Sequence, residues 1–407
     1  MLKNNCILFT TLILIISCIN FPIGPVVELN LIEDTLHVGN YVILDASKSN
    51  FSGGNDFIYN WEANAENPHY ILLTSNSTQK IGFVEEGLYK FNLFINNGIL
   101  NSSTKEINIF ILPRNEVSPI FEDPSLEIQA RYDINKPIGD LSEEDLSKVC
   151  SLQVNVMTNS KIRLLTGLEK CTNLSYLILG LQEISDISPL NTLTKLEKLS
   201  LTQNWLIEDI SPLVNLSDLK ELDFQSNNVS DISALSSLNK LEYLNIMENP
   251  INDLSPLSNL TNLYELWIDY ANDGDMSFVY QMDSLYLLWM TVCSITDLSP
   301  LANNQSIRKI NLDRNQISDL TPLQNLTHLE VLYLGHNNIE DISPLENMEK
   351  LYRLRLSNNN ISDISPLVNN SGLGEGDLLD ITNNPLNEQA YNEHIPALIA
   401  RGVDIYY

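Results

Sequence analysis

Between Leu196 and Leu367 one unit of the form L-x-x-L-x-L-x-x-N-x-I-x-D-I-S-P-L recurs with little drift. Its asparagine falls at Asn227, Asn249, Asn315, Asn337 and Asn359, in steps of 22 or 66 residues, and Ala271 and Cys293 fill the two slots between. A unit this short has a single apolar edge that it cannot bury alone. The units must therefore stack, each giving a short strand to a parallel sheet and a turn to the opposite face. The expected product is a curved solenoid. In Leu241-Glu242-Tyr243-Leu244-Asn245-Ile246 the strand period of two sends Leu244 and Ile246 into the core, and Tyr243, Asn245 and the following Met247 to the concave surface. The repeated asparagine offers two donors and an acceptor to backbone groups where the chain leaves the strand, so its copies are expected to stack as a buried ladder. Ser-Pro then opens a short helical turn, with serine able to cap and proline preset for the first helical position.

This unit resembles the leucine-rich repeat. Its 22-residue length and its Asp-Ile-Ser-Pro-Leu ending, at residues 186–190, 341–345 and 363–367, resemble the bacterial internalin-type class. The resemblance implies an α/β solenoid of parallel strands and short helical turns. It also implies protein ligands, a host or cell-surface protein among them.

The chain starts with Met1-Leu2-Lys3 and an apolar run from Ile7 to Ile16, which reads as an export signal over residues 1–17, too short to cross a bilayer as a mature helix. Ile15-Ile16-Ser17-Cys18 resembles a bacterial lipobox, which implies lipid on Cys18 and a tether over residues 18–23. Cleavage without lipid, giving a secreted protein, is the other reading. Over residues 24–112 the texture changes to short alternating segments such as Tyr41-Val42-Ile43-Leu44, separated by turn clusters, the pattern of an all-β sandwich. Leu44-Asp45-Ala46-Ser47, Tyr59-Asn60-Trp61 and Glu86-Gly87-Leu88-Tyr89 resemble a PKD-type, immunoglobulin-like module, which implies a spacer with Trp61 between the sheets and Tyr89 as a buried corner tyrosine. Residues 113–120 read as a linker and 121–172 as an N-terminal cap with helices starting at Asp123 and Ser142. Residues 173–386 are the repeats and 387–407 a C-terminal cap. Cys150 and Cys171 either pair or stay free; spacing alone leaves that open.

Chemistry is sparse on this frame. The five histidines (His37, His69, His328, His336 and His394) are scattered, and no nucleophile, phosphate-cradling or metal-ligand motif appears, so no catalytic residue, metal or cofactor is expected. One carboxylate per repeat (Asp231, Asp253, Asp275, Asp297, Asp319, Asp341, Asp363) is too few ligands per turn for calcium and fits bonding to local amides. With 52 acidic against 23 basic residues and a net charge of -29, a nucleic-acid partner is excluded. The concave positions stand out. Tyr243, Trp267 and Trp289 fall on consecutive strands with Tyr270 just beyond, and Glu265, Asp269, Tyr333, Arg353 and Arg355 share their face. Trp, Tyr and Arg dominate binding hot spots, so this face is the expected ligand surface. The expected protein is a recognition protein of the cell surface or envelope, held to membrane by lipid only, that binds another protein. Glycan capture by the tryptophans and a purely structural envelope role are the alternatives.

Overall fold

The computed structural model of this chain describes residues 28–29, 36–46, 58–72, 78–96, 104–114, 120–154, 160–271 and 274–407. The export signal, Cys18, most of the expected linker, and Asn272 and Asp273 lie outside the described residues. Two compact units divide at Leu174 and Ser175.

In the first unit, β1 (Glu28–Leu29), β3 (Tyr41–Asp45), β6 (Thr78–Phe83) and β5 (Tyr70–Leu72) form one sheet in that order. A second sheet runs β2 (Leu36–His37), β8 (Lys105–Leu112), β7 (Gly87–Asn96), β4 (Ile58–Ala63). Alternation along the strands gives both a buried face: Val42, Leu44, Ile81 and Phe83 from one sheet and Leu36, Tyr89, Phe91, Ile109 and Ile111 from the other make a single core. Tyr89 is fully buried, its hydroxyl 2.8 Å from the carbonyl oxygens of both Glu85 and His69. Trp61, expected between the sheets, is only half-buried at the margin of that core, because β4 is an edge strand.

Helix α1 (Pro124–Asp133) starts where the sequence places it. The Asp123 carboxylate accepts from the amides of Ser125 (2.8 Å) and Leu126 (3.3 Å), and Pro124 fills the first turn. The helix lies on the first sheet: Ile128 comes so close to Gly82 that a Cβ there would meet it at 2.4 Å, and Tyr132 meets Tyr41 with ring centroids 6.2 Å apart. Glu127 accepts from Arg114 at 2.6 Å and pairs with Arg131 at 2.7 Å in a largely buried cluster. Arg114, read as linker, is thus bonded into α1. Helix α2 (Glu143–Leu146) carries the Ser142–Asp145 capping box, and β9 (Ser151–Gln153) follows. Cys150 and Cys171 do not pair with each other; burial, with Glu169 and Asp133 nearby, pushes the Cys171 thiol up to about 12.

The second unit is the solenoid. Strands β10 (Tyr176–Ile178), β11 (Lys198–Ser200), β12 (Glu221–Asp223), β13 (Tyr243–Asn245), β14 (Glu265–Asp269), β15 (Leu287–Thr291), β16 (Lys309–Asn311), β17 (Val331–Tyr333), β18 (Arg353–Arg355), β19 (Leu378–Asp380) and β20 (Asp404–Tyr406) follow one another in chain order in a parallel sheet. The leucines at the inward positions of the repeated unit are buried. The asparagines do stack as a ladder. The Asn337 amide donates to the carbonyls of Leu312 (3.0 Å) and Leu334 (3.1 Å), while its oxygen accepts the Ile317 amide at 3.0 Å. Cys293 occupies its slot with its thiol 3.1 Å from the Thr291 carbonyl, and its own amide donates to Asn315 at 3.0 Å. The residue before each ladder position adopts a left-handed backbone, among them Ser226 (φ 59), Glu248 (φ 55), Tyr270 (φ 55), Arg314 (φ 60) and His336 (φ 55). Such a conformation costs an L-residue on the order of 1–2 kcal/mol, and the two-sided grip on the ladder residue holds it.

Two details differ from the sequence reading. Serine does not cap the short turns: in Ser343–Leu345, for example, it is the first turn residue, and the aspartate two positions earlier takes the capping role. The Asp341 carboxylate accepts the Ser343 amide at 2.8 Å and its hydroxyl at 3.0 Å; the amides after Asp231, Asp253, Asp275, Asp297, Asp319 and Asp363 are held alike at 2.7–2.9 Å. Since an asparagine oxygen can accept the Ser343 amide while its NH2 donates to the Ser343 hydroxyl, Asp341→Asn is expected to change stability by about 0.5 kcal/mol or less. Thermal melting with and without calcium checks this: a calcium-induced rise in Tm that the variant loses would contradict it.

The other detail is a break in the period. Asn204 also belongs to the ladder, fully buried, but Asn227 follows it by 23 residues, not 22. The extra residue is absorbed between Asn204 and Ile207. The Ile207 amide turns to the Asn204 carbonyl (3.3 Å), whereas its counterparts Val229, Ile317 and Ile339 bond the asparagine oxygen of the next rung at 3.0–3.1 Å. The Asn227 side-chain oxygen is left buried without a partner, and Trp205 and Leu206 are pushed out to 61% and 57% exposure.

Candidate functional site

The sheet register decides which concave residues meet. Pairing sets Asn245 beside Trp267, Trp267 beside Trp289, Trp289 beside Asn311, Asn311 beside Tyr333 and Tyr333 beside Arg355. With strands about 4.8 Å apart, equivalent rings stack. Trp267 and Trp289 do so with centroids 5.0 Å apart and planes at 23°. Trp289 then meets Tyr333 edge to face at 6.1 Å, across the rung that carries the small, buried Asn311. The Arg355 guanidinium closes the row 4.8 Å over the Tyr333 ring. The Asp313 carboxylate fixes that guanidinium at 2.8 Å, with Asp380 at 3.8 Å, and the Asp313 bond raises the Arg355 pKa further.

Gly335 makes room for this arrangement. A Cβ there would sit 3.1 Å from the Arg355 side chain and 3.2 Å from the Asp313 carboxylate, which also accepts the Gly335 amide at 2.6 Å. At the other end of the row the Trp267 indole nitrogen is enclosed without a hydrogen-bond partner. Four residues of the expected surface therefore form one continuous strip: Trp267, Trp289, Tyr333 and Arg355.

The rest stand around it. Tyr243 is in register with Glu265, not with the tryptophans, and lies one same-face position to the side. Half-buried, it has its hydroxyl pushed up to about 12 by burial and by Asp223. Asp269 is almost wholly buried; burial and the neighbouring Glu248 raise its carboxyl pKa, although the Glu248 amide donates to it at 2.5 Å. Tyr270 leaves the strand in the left-handed turn and is 57% exposed at the sheet margin. Arg353 is exposed on β18 and forms no ion pair among the described residues. A second stack went unread in the sequence: Tyr264 and Tyr286, just before β14 and β15, lie 4.8 Å apart at 7°, with the Lys309 amine 5.4 Å over Tyr286. Their equal place in successive repeats was the available signal.

The parallel sheet, the leucine core and the asparagine ladder define a leucine-rich repeat protein, and the signature described as "Leucine Rich repeats (2 copies)" matches residues 194–237, 217–259 and 327–369. The chain belongs to the internalin family within that class. An internalin (InlF) from Listeria monocytogenes is 33% identical over 71% of this chain and 92% of its own, with a TM-score of 0.59. The functional domain of InlJ from Listeria monocytogenes, which includes a cysteine ladder, is 24% identical over 67% of this chain and 58% of its own, with a TM-score of 0.55, a likeness of fold. So is that to a chain of the octameric complex of Latrophilin 3, Unc5D and the FLRT2 leucine-rich repeats, 21% identical over 66% of this chain and 85% of its own, TM-score 0.53. No curated protein matches.

Proposed function

We propose that this is a surface recognition protein that binds another protein through the concave face of its repeats, and that it acts by binding, without catalysis. The observation that carries this reading is the Trp267–Trp289–Tyr333–Arg355 strip, a run of the residue types that dominate binding energy, laid over a rigid sheet. Rings already fixed by stacking and a guanidinium already fixed by Asp313 lose little entropy when a partner arrives. Glu265, Asp269, Tyr243, Tyr270 and Arg353 form the rim of that surface in this reading. Membership of the internalin family supports it, and FLRT2 repeats found in a complex with other proteins are a precedent of fold. The full chain, immobilised, is used to isolate a partner from surface-protein fractions, and the partner is then titrated against wild type and concave-face variants.

The reading also places the protein outside the cell, on a lipid carried by Cys18, with residues 24–112 as a PKD-type, immunoglobulin-like module between tether and repeats. No helix among the described residues is long and apolar enough to cross a membrane. Cys18→Ala is expected to abolish labelling by a fatty-acid probe and to release the exported protein from the detergent phase. Membrane association unchanged in that variant contradicts the lipid anchor.

A further inference from the structure

A hollow of about 420 Å³ opens beside the Tyr264–Tyr286 stack, lined by Lys220, Lys240, Glu242, Asn262, Tyr264 and Ser284. Its one aromatic wall is preset. Tyr264 is 47% exposed, yet one face of its ring is held against Tyr286, which Lys309 covers in turn. The polar lining is also held in place. The Lys220 amine is fixed at 2.8 Å by Glu197 and the Lys240 amine at 2.7 Å by Asp218, while the Asn262 amide donates to the Asn239 carbonyl at 2.7 Å. Each ammonium keeps further donors, and Asn262 keeps its oxygen and a second N–H. The Glu242 carboxylate and the Tyr264 and Ser284 hydroxyls have no side-chain hydrogen bond among the described residues.

Charge narrows what such a lining can hold. The two lysines are answered by Glu197, Asp218 and Glu242, so the hollow has no surplus of positive charge for an anion, and a lone cation would meet two ammonium groups. What remains is a flat apolar ring face beside many neutralised donors and acceptors, the combination that suits a pyranose: its C–H face stacks on an aromatic ring while its hydroxyls exchange hydrogen bonds around the edge. Lining residues recur at the 22-residue step, Lys220 with Glu242 and Tyr264, Lys240 with Asn262 and Ser284. The first three are bonded in succession, the Glu242 amide to the Lys220 carbonyl at 2.8 Å and the Tyr264 amide to the Glu242 carbonyl at 2.7 Å, which sets them about one strand spacing, ~4.8 Å, apart. That spacing is comparable with the sugar repeat of an extended glycan running along the solenoid.

We propose that this hollow binds a pyranose unit of an uncharged, extended oligosaccharide, with its ring on Tyr264, at a site separate from the concave strip. Chitohexaose and cellohexaose are the probes, titrated into the full chain by calorimetry and by NMR, with a hyaluronan hexasaccharide as the charged comparison. At least one neutral hexamer is expected to bind, and hyaluronan more weakly. Tyr264→Ala is expected to weaken that binding at least 10-fold, Tyr264→Phe to retain most of it by keeping the stack, and Trp267→Ala to leave it unchanged. Failure of both neutral hexamers to bind up to their solubility overturns the proposal, as does undiminished affinity in a folded Tyr264→Ala variant. Loss in Trp267→Ala but not in Tyr264→Ala would move the sugar to the concave face and overturn both the separate site and the protein-only reading of the strip.

Discussion

Replacing Asn337 with leucine is expected to destabilise the solenoid by roughly 3–5 kcal/mol. The size follows from what the side chain holds. Its amide satisfies the carbonyls of Leu312 and Leu334, from two neighbouring turns, and its oxygen satisfies the Ile317 amide one turn back. Leucine fits the volume but meets none of these needs, and each buried backbone group left without a partner costs about 1–3 kcal/mol. His336, just before it, would also lose the support for its left-handed backbone. Because each repeat leans only on its neighbours, the loss is expected to spread along the solenoid from that rung and to lower the cooperativity of melting. Equilibrium denaturation followed by circular dichroism measures it; a loss below about 1 kcal/mol would mean that the ladder is not what holds the turns.

Truncating Trp289 to alanine is expected to weaken partner binding by about 2 kcal/mol or more, roughly 30-fold, and Trp267→Ala by a similar amount. Trp289 is the hinge of the strip, touching Trp267 on one side and Tyr333 on the other. Its loss therefore removes a contact surface and loosens both neighbours, so the two substitutions are not expected to add. Both rings lie opposite the leucine core, and the fold should survive, as an unchanged circular dichroism spectrum would establish. For a charge test Arg353→Glu is cleaner than Arg355→Glu. Arg355 is part of the strip, and a carboxylate in its place would face Asp313 and Asp380. Exposed Arg353 can be reversed without touching the row, and a protein partner that covers the rim should then lose association rate or affinity.

The solenoid could be read from the chain because each leucine and asparagine answers a local demand that repeats: an apolar edge to bury, a strand exit to satisfy. Trp267 and Trp289 could be placed together for the same reason, since equal positions in successive repeats become neighbours. The same 22-residue step carries Tyr243 to Glu265 and Asn245 to Trp267, which sets Tyr243 one same-face position to the side of the tryptophans. The tie from Arg355 back to Asp313, two rungs away, could not be read this way, because it depends on a long side chain crossing rungs and on the space left at Gly335. The left-handed residues carry no glycine to announce them; they are held by contacts distant in sequence. One added residue at Trp205 escaped a period counted from Asn227 onward, although it orphans the Asn227 oxygen and exposes two large apolar side chains. The packing of α1 on the first sheet was invisible for another reason: Ile128 reads equally well as the core of a separate cap, and only the bare backbone of Gly82 lets it close on the strands.

Hydroxyl-radical footprinting of the full chain, free and saturated with its isolated protein partner, tests the central claim most directly, because it needs no substitution. The account predicts that Trp267, Trp289 and Tyr333 become several-fold less reactive in the complex, while exposed Trp205 and Tyr264, which lie off the strip, keep their free-protein reactivity. Unchanged reactivity at Trp267, Trp289 and Tyr333, with protection at Trp205 or Tyr264 instead, would contradict it and move the partner off the concave face.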